Sequence, residues 1–359
     1  RYGGFAEPAI PDTVAGRRSA LANWIASPKN PLTARVMVNR IWQYHFGKGI
    51  AGDANNFGKT GRKPSHPELL DSLAARFIES GWSVKAMHRE ILLSDAYQRS
   101  SAHPDAAQVS SKDPGNDLLA YFSPRRVEAE VIRDGMLQAA GELSLEAGGP
   151  GVFPQINDDV ARQPRHAMGS LAPAYRPSPL KRMRNRRTIY TFQQRGLVDP
   201  MIDVFNGASM DFSCDRREAS TVPTQAFTLF NSAFAHDMAL AMAARLEKEA
   251  QSPEARIERA FQLAYGRGAT REEVRAALAH LDKMTKHHQS TPPPAKAATK
   301  PLVHMITSEL TGEQHEFLQQ DDSAAYEANL HPSDVKPHTR ALADLALVLL
   351  NSNEFLYIY

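Results

Sequence analysis

Apolar residues recur at helical spacing along most of this chain. Residues 17–26 (RRSALANWIA) carry Leu21, Trp24 and Ile25, and residues 32–46 (LTARVMVNRIWQYHF) carry Val38, Ile41, Trp42 and His45, so each stretch predicts a helix. Ser65-His66-Pro67-Glu68 predicts a helix start, with Ser65 as cap, Pro67 in the first turn and Glu68 completing a capping box. Leu69, Leu70, Leu73, Phe77 and Ile78 then share one face, and Gly81 ends the run. Ser83 is placed to cap a further helix that buries Val84, Met87, Ile91 and Leu92 and runs to about Tyr97. Between the second and third of these helices, Lys48 to Pro64 forms a Gly-, Asn- and Lys-rich link of 17 residues, a length typical of functional loops.

A second block opens at Ser123-Pro124 with a helix expected to reach Leu143 and to turn Val127, Val131, Met136, Leu137 and Ala140 inward. Gly148-Gly149-Pro150-Gly151 interrupts it. From Val152 to about Pro200 periodicity fades, apart from a strand expected over Arg187–Gln193 (RTIYTFQ). Helical patterning resumes in an Ala-rich stretch from Pro223 to Leu246, then over 253–265 and 270–287, with Ser252-Pro253 and Thr270 as start signals. A proline-rich loop (TPPPAKAAT) follows, then a short hairpin expected from Met305 to Leu318 around Thr311-Gly312, and a last helix over 338–351 opened by Pro337. The fold class is therefore mainly α: a bundle-like, multi-helix module with a minor β hairpin and long irregular loops. Its expected organisation is an N-terminal linker over 1–16 and one helical module over 17–359, with sub-blocks 17–100, 117–200 and 210–359.

Composition narrows this picture. Of 359 residues, 42% are hydrophobic and 23% charged, which fits a globular protein. No apolar run approaches the roughly 20 residues of a membrane span. The single cysteine, Cys214, excludes an internal disulfide, a CxxC zinc knuckle and a CxxCH haem attachment, so no cofactor is expected in this chain. Cys214 is flanked by Arg216 and Arg217, which would favour a thiolate, yet no histidine is near in sequence, and a buried, inert thiol is the favoured expectation. The chain begins with Arg in a Gly- and Pro-containing stretch without a signal-peptide pattern, and reads as a piece of a longer protein.

A net charge of +2 hides a segregation. From Ala161 to Arg195 there are nine basic residues (Arg162, Arg165, Arg176, Lys181, Arg182, Arg184, Arg186, Arg187 and Arg195) and no acid. From Pro301 to Val335 there are seven acids (Glu309, Glu313, Glu316, Asp321, Asp322, Glu327 and Asp334) and no Lys or Arg. The basic stretch suits an anionic ligand such as a sulfated or uronic glycan, because a guanidinium pairs two oxygens at once. The competing expectation is internal neutralisation by the acidic segment or by Asp199, Asp203 and Asp211. Nucleic acid is not an expected partner, since the acids elsewhere would repel a long polyanion.

Three constellations bear chemistry. His45, His66 and His88 are candidate metal ligands, with Asp53 or Asp71 as carboxylate partners, although none has the spacing of a helical metal motif. Arg126, Glu130, Arg133 and Asp134 share a helix face. They read either as a general acid or base, Glu130 or Asp134, tuned by arginines, or as ion pairs clamping the helix to its neighbours. His88 is a further catalytic candidate. Arg40, Arg126, Arg133, Arg186, Arg187 and Tyr190 are the candidate ligand-binding residues. No GxSxG, phosphate-binding glycine loop or dinucleotide fingerprint is present.

Seven ordered stretches carry a family resemblance: Asn30 to Trp42 (NPLTARVMVNRIW) with Phe46-Gly47; Pro64 to Asp71 (PSHPELLD); Gly81-Trp82-Ser83 with Met87-His88-Arg89; Arg186 to Tyr190 (RRTIY); Val222 to Ala226 (VPTQA) with Leu229-Phe230-Asn231; Ala264 to Arg267 (AYGR); and Leu349 to Phe355 (LLNSNEF). Together they resemble the uncharacterised C-terminal domain of large secreted proteins abundant in planctomycetes. The resemblance implies export to the periplasm or cell exterior, an upstream c-type cytochrome-like domain in the same parent protein, and a setting of polysaccharide utilisation. It supplies no catalytic residues. Where many relatives read Arg-Thr-Asn-Thr-Pro-Leu-Gln-Ala, this chain has Ala219 to Ala226 (ASTVPTQA), which removes the Asn.

Three functional readings follow: an exported scaffold or binding module, contacting an anionic glycan or the cytochrome partner; a carbohydrate-active redox or hydrolytic enzyme passing electrons to the haem domain; and a metal site on the three histidines.

Overall fold

The computed structural model describes residues 9–161, 164–167, 170–173, 175–193, 195, 197–296, 302–308, 310–319 and 326–359. The chain divides into two compact units: Arg1–Arg125 with Cys214–Arg216 and Ile358–Tyr359, and Arg126–Ser213 with Arg217–Tyr357. The architecture is mainly α.

The first unit contains α1 (Arg17–Ala26), α2 (Thr33–Phe46), α3 (Pro67–Glu79), α4 (Val84–Leu92) and α5 (Ala106–Lys112). Its core joins Val38, Ile41 and Trp42 of α2, Leu70, Leu73 and Phe77 of α3, Met87 and Ile91 of α4, and Ile50 of the long link. Each fully buried side chain of this size stabilises by roughly 1.5–3 kcal/mol relative to exposure. The expected helix over 17–26 forms but buries none of its residues. Ser65 does not cap α3; its hydroxyl donates to the Ile50 carbonyl, and His66 takes the cap position. Ser83 does cap α4, accepting from Ala86 N–H at 3.2 Å, and α4 ends at Leu92 rather than Tyr97. Cys214 is exposed, which corrects the expected burial: the returning segment is held through its main chain, by Gln43 Nε2 donating to the Asp215 carbonyl, and not through the thiol.

The second unit is built on α6 (Ala129–Ala140), α10 (Pro223–Asn231), α11 (Ala233–Glu249), α12 (Pro253–Tyr265), α13 (Arg271–Ser290) and α14 (Pro337–Leu350), with the short turns α7 (Asp158–Ala161), α8 (Lys181–Arg184), α9 (Pro200–Val204) and α15 (Asn353–Leu356). α11 packs against α14 and α6, and α13 against α14. Ala235, Ala239 and Ala243, each at most 1% exposed, let the helices around α11 approach closely. Ile132, Met136, Met242, Leu246, Ile257 and Leu350 fill the centre. The expected Pro223–Leu246 helix is two helices, because Ser232 caps α11 by accepting from Ala235 N–H and so ends α10. Val131 is 52% exposed, since α6 begins only at Ala129 and its inward stripe runs through Ile132, Met136 and Leu137.

The described β structure in this unit includes two antiparallel ribbons, Pro164–Ala167 with Ser170–Pro173 and Leu302–Thr307 with Gln314–Gln319, the second being the expected hairpin. Arg187–Gln193 forms no strand. Thr188–Tyr190 is a single 3-10 turn, flanked by isolated bridges from Arg186 to Ser144 and from Thr191 to Val152. The Thr188 N–H, free in a strand to pair sideways, is taken by Asp134 Oδ1 at 2.8 Å.

Candidate functional site

Helix α2 has two apolar faces. Ala34, Val38, Ile41 and Trp42 enter the core of the first unit, while Thr33, Val36, Met37 and Arg40, spaced i, i+3, i+4 and i+7, line a groove of about 590 Å³. Asn30 and Leu32 before α2, Trp24 of α1, Phe77 at the end of α3, and Trp82 and Val84 at the start of α4 complete its walls. Asn30 fixes the entry to α2: it is 3% exposed, its amide donates to the Trp24 carbonyl at 3.1 Å, and its Oδ1 accepts from Leu32 N–H at 2.9 Å.

Trp82 is placed by strain. After Gly81 (φ 70°), Trp82 itself has φ 62°, a left-handed conformation that a bulky residue adopts only when its surroundings impose it. Its N–H donates to the Phe77 carbonyl at 2.9 Å, closing the end of α3, and its ring stands edge-on to Phe77 at 5.4 Å. The chain thus turns between α3 and α4 so as to present an indole to the groove.

Leu32, Val36 and Arg40 also line a second recess of about 400 Å³, whose other wall is Ala54, Asn55, Asn56, Phe57 and Gly58. These belong to the long link. The link is anchored by Asn39, fully buried on α2, whose side-chain amide donates to the Ala51 carbonyl at 3.0 Å and accepts from Ala51 N–H at 2.8 Å. The Arg40 guanidinium donates to the side-chain oxygen of Asn55. An aromatic groove and an amide-lined recess therefore share one wall, with a guanidinium on it.

The candidate histidines separate. His45 Nε2 and His88 Nδ1 are 2.7 Å apart, with the Tyr97 ring edge-on to His45. Burial, then His88, then Arg125, push the His45 imidazole below the usual histidine value. His66 is elsewhere in the unit, bonded to Ser65. Among the described residues no group of three or more His, Cys, Asp or Glu side chains could hold a metal ion, and one nitrogen of His45 and one of His88 are engaged with each other.

The other candidates belong to the second unit. Arg126 donates to the Phe205 carbonyl and to Asn206 Oδ1. Glu130 receives both arms of Arg217, one at 2.7 Å, and lies below the usual carboxylate range; its burial, which alone would raise it, is outweighed by that pairing. Asp134 accepts from Thr188 N–H and Oγ1–H. Arg133, 3% exposed, donates to the carbonyls of Arg184 (2.7 Å) and Arg186 (3.1 Å) and to Thr188 Oγ1. Arg186, also 3% exposed, donates to the carbonyls of Glu146, Gly148 and Pro150 and stacks on the Tyr190 ring at 4.1 Å. Arg187 is exposed, 3.8 Å from Asp134.

Among the described residues, the basic stretch is largely engaged. Lys181 pairs with Glu142, Arg182 with Glu146 and Arg195 with Asp211, while Arg184 donates to the carbonyls of Ser178, Pro179 and Glu327. Arg162, Glu309, Asp321 and Asp322 lie outside the described residues.

Two groups in this unit had no sequence assignment as a site. Tyr175 and Asp199 line a void of about 20 Å³, room for one water, together with Ile156, Phe192 and Leu197. Burial raises both groups above their usual range, while Asp199 caps α9 by accepting from Met201 N–H at 2.9 Å. The Asp199-Pro200 pair is a helix-start signature, the one signal that could have located it.

Comparison with known proteins gives the chain a family and no more. The family model described as PSD1, protein of unknown function (DUF1553), matches residues 17–281, and the chain belongs to that family. No curated protein matches the chain, and no solved structure does.

Proposed function

We propose that this family member is a binding module that holds a glycan chain in the tryptophan-lined groove of its first unit. The observation that carries this reading is the groove itself: Trp24 and Trp82 flank about 590 Å³ of open, mostly apolar space, and the adjoining recess is walled by Arg40, Asn55 and Asn56. A pyranose ring has an apolar C–H face that lies on indole and a hydroxyl rim that hydrogen-bonds to amides, so a site of this composition suits it. The family resemblance adds the setting: an exported chain, periplasmic or extracellular, working as a scaffold beside an upstream cytochrome-like domain in polysaccharide utilisation. No helix among the described residues is long and apolar enough to cross a membrane.

The enzymatic alternative, with Glu130 or Asp134 as acid or base, has less support, because both carboxylates are occupied by neighbours on the same unit. The test of the binding reading is calorimetric titration of the full chain with a panel of neutral and acidic oligosaccharides, repeated on Trp24→Ala and Trp82→Gly. Saturable binding lost by at least tenfold in both variants is expected. Binding that both variants retain, or no binding to any oligosaccharide, overturns the reading.

A further inference from the structure

Arg40 is half-buried, whereas Arg17 and Arg99 of the same unit are exposed and donate to main-chain carbonyls, and four other cations pair with carboxylates. Arg35 pairs with Asp71 at 2.6 Å, Arg62 with Asp53 at 3.6 Å, Lys48 with Asp117 and Arg76 with Glu90. Arg40 is half-buried, bonds to a neutral amide oxygen on Asn55, and pairs with no carboxylate among the described residues. The nearest acid in sequence, Asp53, already accepts from Arg62 N–H at 2.8 Å. A partly desolvated guanidinium with five donors and one neutral acceptor retains most of its capacity for an anion.

We infer that Arg40 reads the acidic group of the bound glycan: a carboxylate or sulfate enters the recess beside Asn55 and Asn56 while the sugar ring that bears it, or its neighbour, lies in the tryptophan groove. This rests on the glycan reading above and specifies its substrate class. The geometry favours it because Leu32, Val36 and Arg40 line both spaces, so a ligand spanning them meets Arg40 at its middle. On binding, Arg40 exchanges the Asn55 oxygen for a charged one. A charge-assisted hydrogen bond is about twice as strong as a neutral one, and the planar fork can take two oxygens of one acidic group. The signal was not in the arginine-rich middle of the chain, where Arg184 and Arg186 donate to carbonyls and Arg182 pairs with a local carboxylate.

The test is calorimetric titration of the full chain with four probes: oligogalacturonate, its methyl ester, a sulfated galactan oligosaccharide and the same oligosaccharide desulfated. The wild-type chain is expected to prefer one acidic form over its neutral counterpart by about 10- to 100-fold. The matched pair that shows the preference identifies carboxylate or sulfate as the group read. Arg40→Gln is expected to bring the acidic form down to the affinity of the neutral one and to leave the neutral one unchanged. Arg40→Lys, which keeps the charge and loses the fork, is expected to retain part of the preference, and it serves if Arg40→Gln fails to fold. Equal binding of acidic and neutral forms by wild type, or an undiminished preference in Arg40→Gln, overturns the role of Arg40 while leaving the glycan reading intact. Binding of dodecyl sulfate with no binding of any oligosaccharide overturns both.

Discussion

The Nε2 of His45 faces the Nδ1 of His88 across 2.7 Å. One proton can be shared across that distance, but two imidazolium N–H groups cannot point at each other there. Burial, His88 and Arg125 all hold His45 below the 6.5 of an unfolded histidine. As pH falls below 6.5, His45 therefore takes up its proton more readily in the unfolded chain than in the folded one. The stability carried by neutral His45 is fully present above pH 6.5 and is lost as pH falls from there through the folded value. Urea midpoints taken between pH 7.5 and 5.5 should fall for wild type and fall less for His45→Gln. Equal pH dependence of the two proteins would count against the shared-proton pair.

Arg133 should resist even conservative replacement. Its guanidinium satisfies the buried carbonyls of Arg184 and Arg186, and an unsatisfied buried acceptor costs about 1–3 kcal/mol. Arg133→Leu should destabilise by roughly 3 kcal/mol or more, and Arg133→Lys should recover little of it, since an ammonium group cannot reproduce the fork. Denaturant midpoints of the three proteins decide the matter; a lysine variant as stable as wild type would contradict it.

Asn39 anchors the loop that walls the second recess. Asn39→Asp is isosteric, yet it turns a donor towards the Ala51 carbonyl into a second acceptor and buries a charge. A loss of about 3 kcal/mol is expected. Amide exchange should quicken first over residues 48–64, and exchange that stays slow there would show that the loop is held by something else.

Trp82 pays for its place with backbone strain, so its two smallest replacements should not be equivalent. Both lose the indole packed on Phe77. Glycine alone accepts φ 62° at no cost, and Trp82→Gly should be more stable than Trp82→Ala by about 1–2 kcal/mol. In the interior of a regular helix the order would be reversed.

Much of the fold is legible in the residues, because helix signals are local. Pro67, Ser83, Thr270 and Pro337 open helices where the pattern places them, and Thr270 with Glu273 forms a full capping box. Ser232 splits the expected Pro223–Leu246 helix by a local cap, but the failures around residues 186–190 share another cause: a distant partner that outbids local preference. The β-branched run at Thr188–Ile189 lacks a neighbouring strand because Asp134 and Arg133 take its polar groups. Arg186 and Arg187 stand in a basic motif that looks like an anion site, and the first of them is buried among main-chain carbonyls. The groove was illegible for a different reason. Its walls come from residues 24 to 84 on four helices and their links, and its cation is marked out by being half-buried with no carboxylate partner among the described residues, which only the folded chain reveals. The outward apolar residues Val36 and Met37 were visible in the sequence, but one helix with two apolar faces cannot be told from one with a single broad face until its neighbours are placed.

The three tryptophans, Trp24, Trp42 and Trp82, all fall within the first unit. The chain thereby carries its own optical label, confined to one half. Indole emission follows the first unit alone, with Trp42 reporting its core and Trp24 and Trp82 its groove. The far-ultraviolet dichroism, by contrast, is weighted towards the longer helices of the second unit. Coincident melting curves from the two signals would mean that the halves unfold as one cooperative body. Separated curves would give each half its own stability without cutting the chain or attaching a dye.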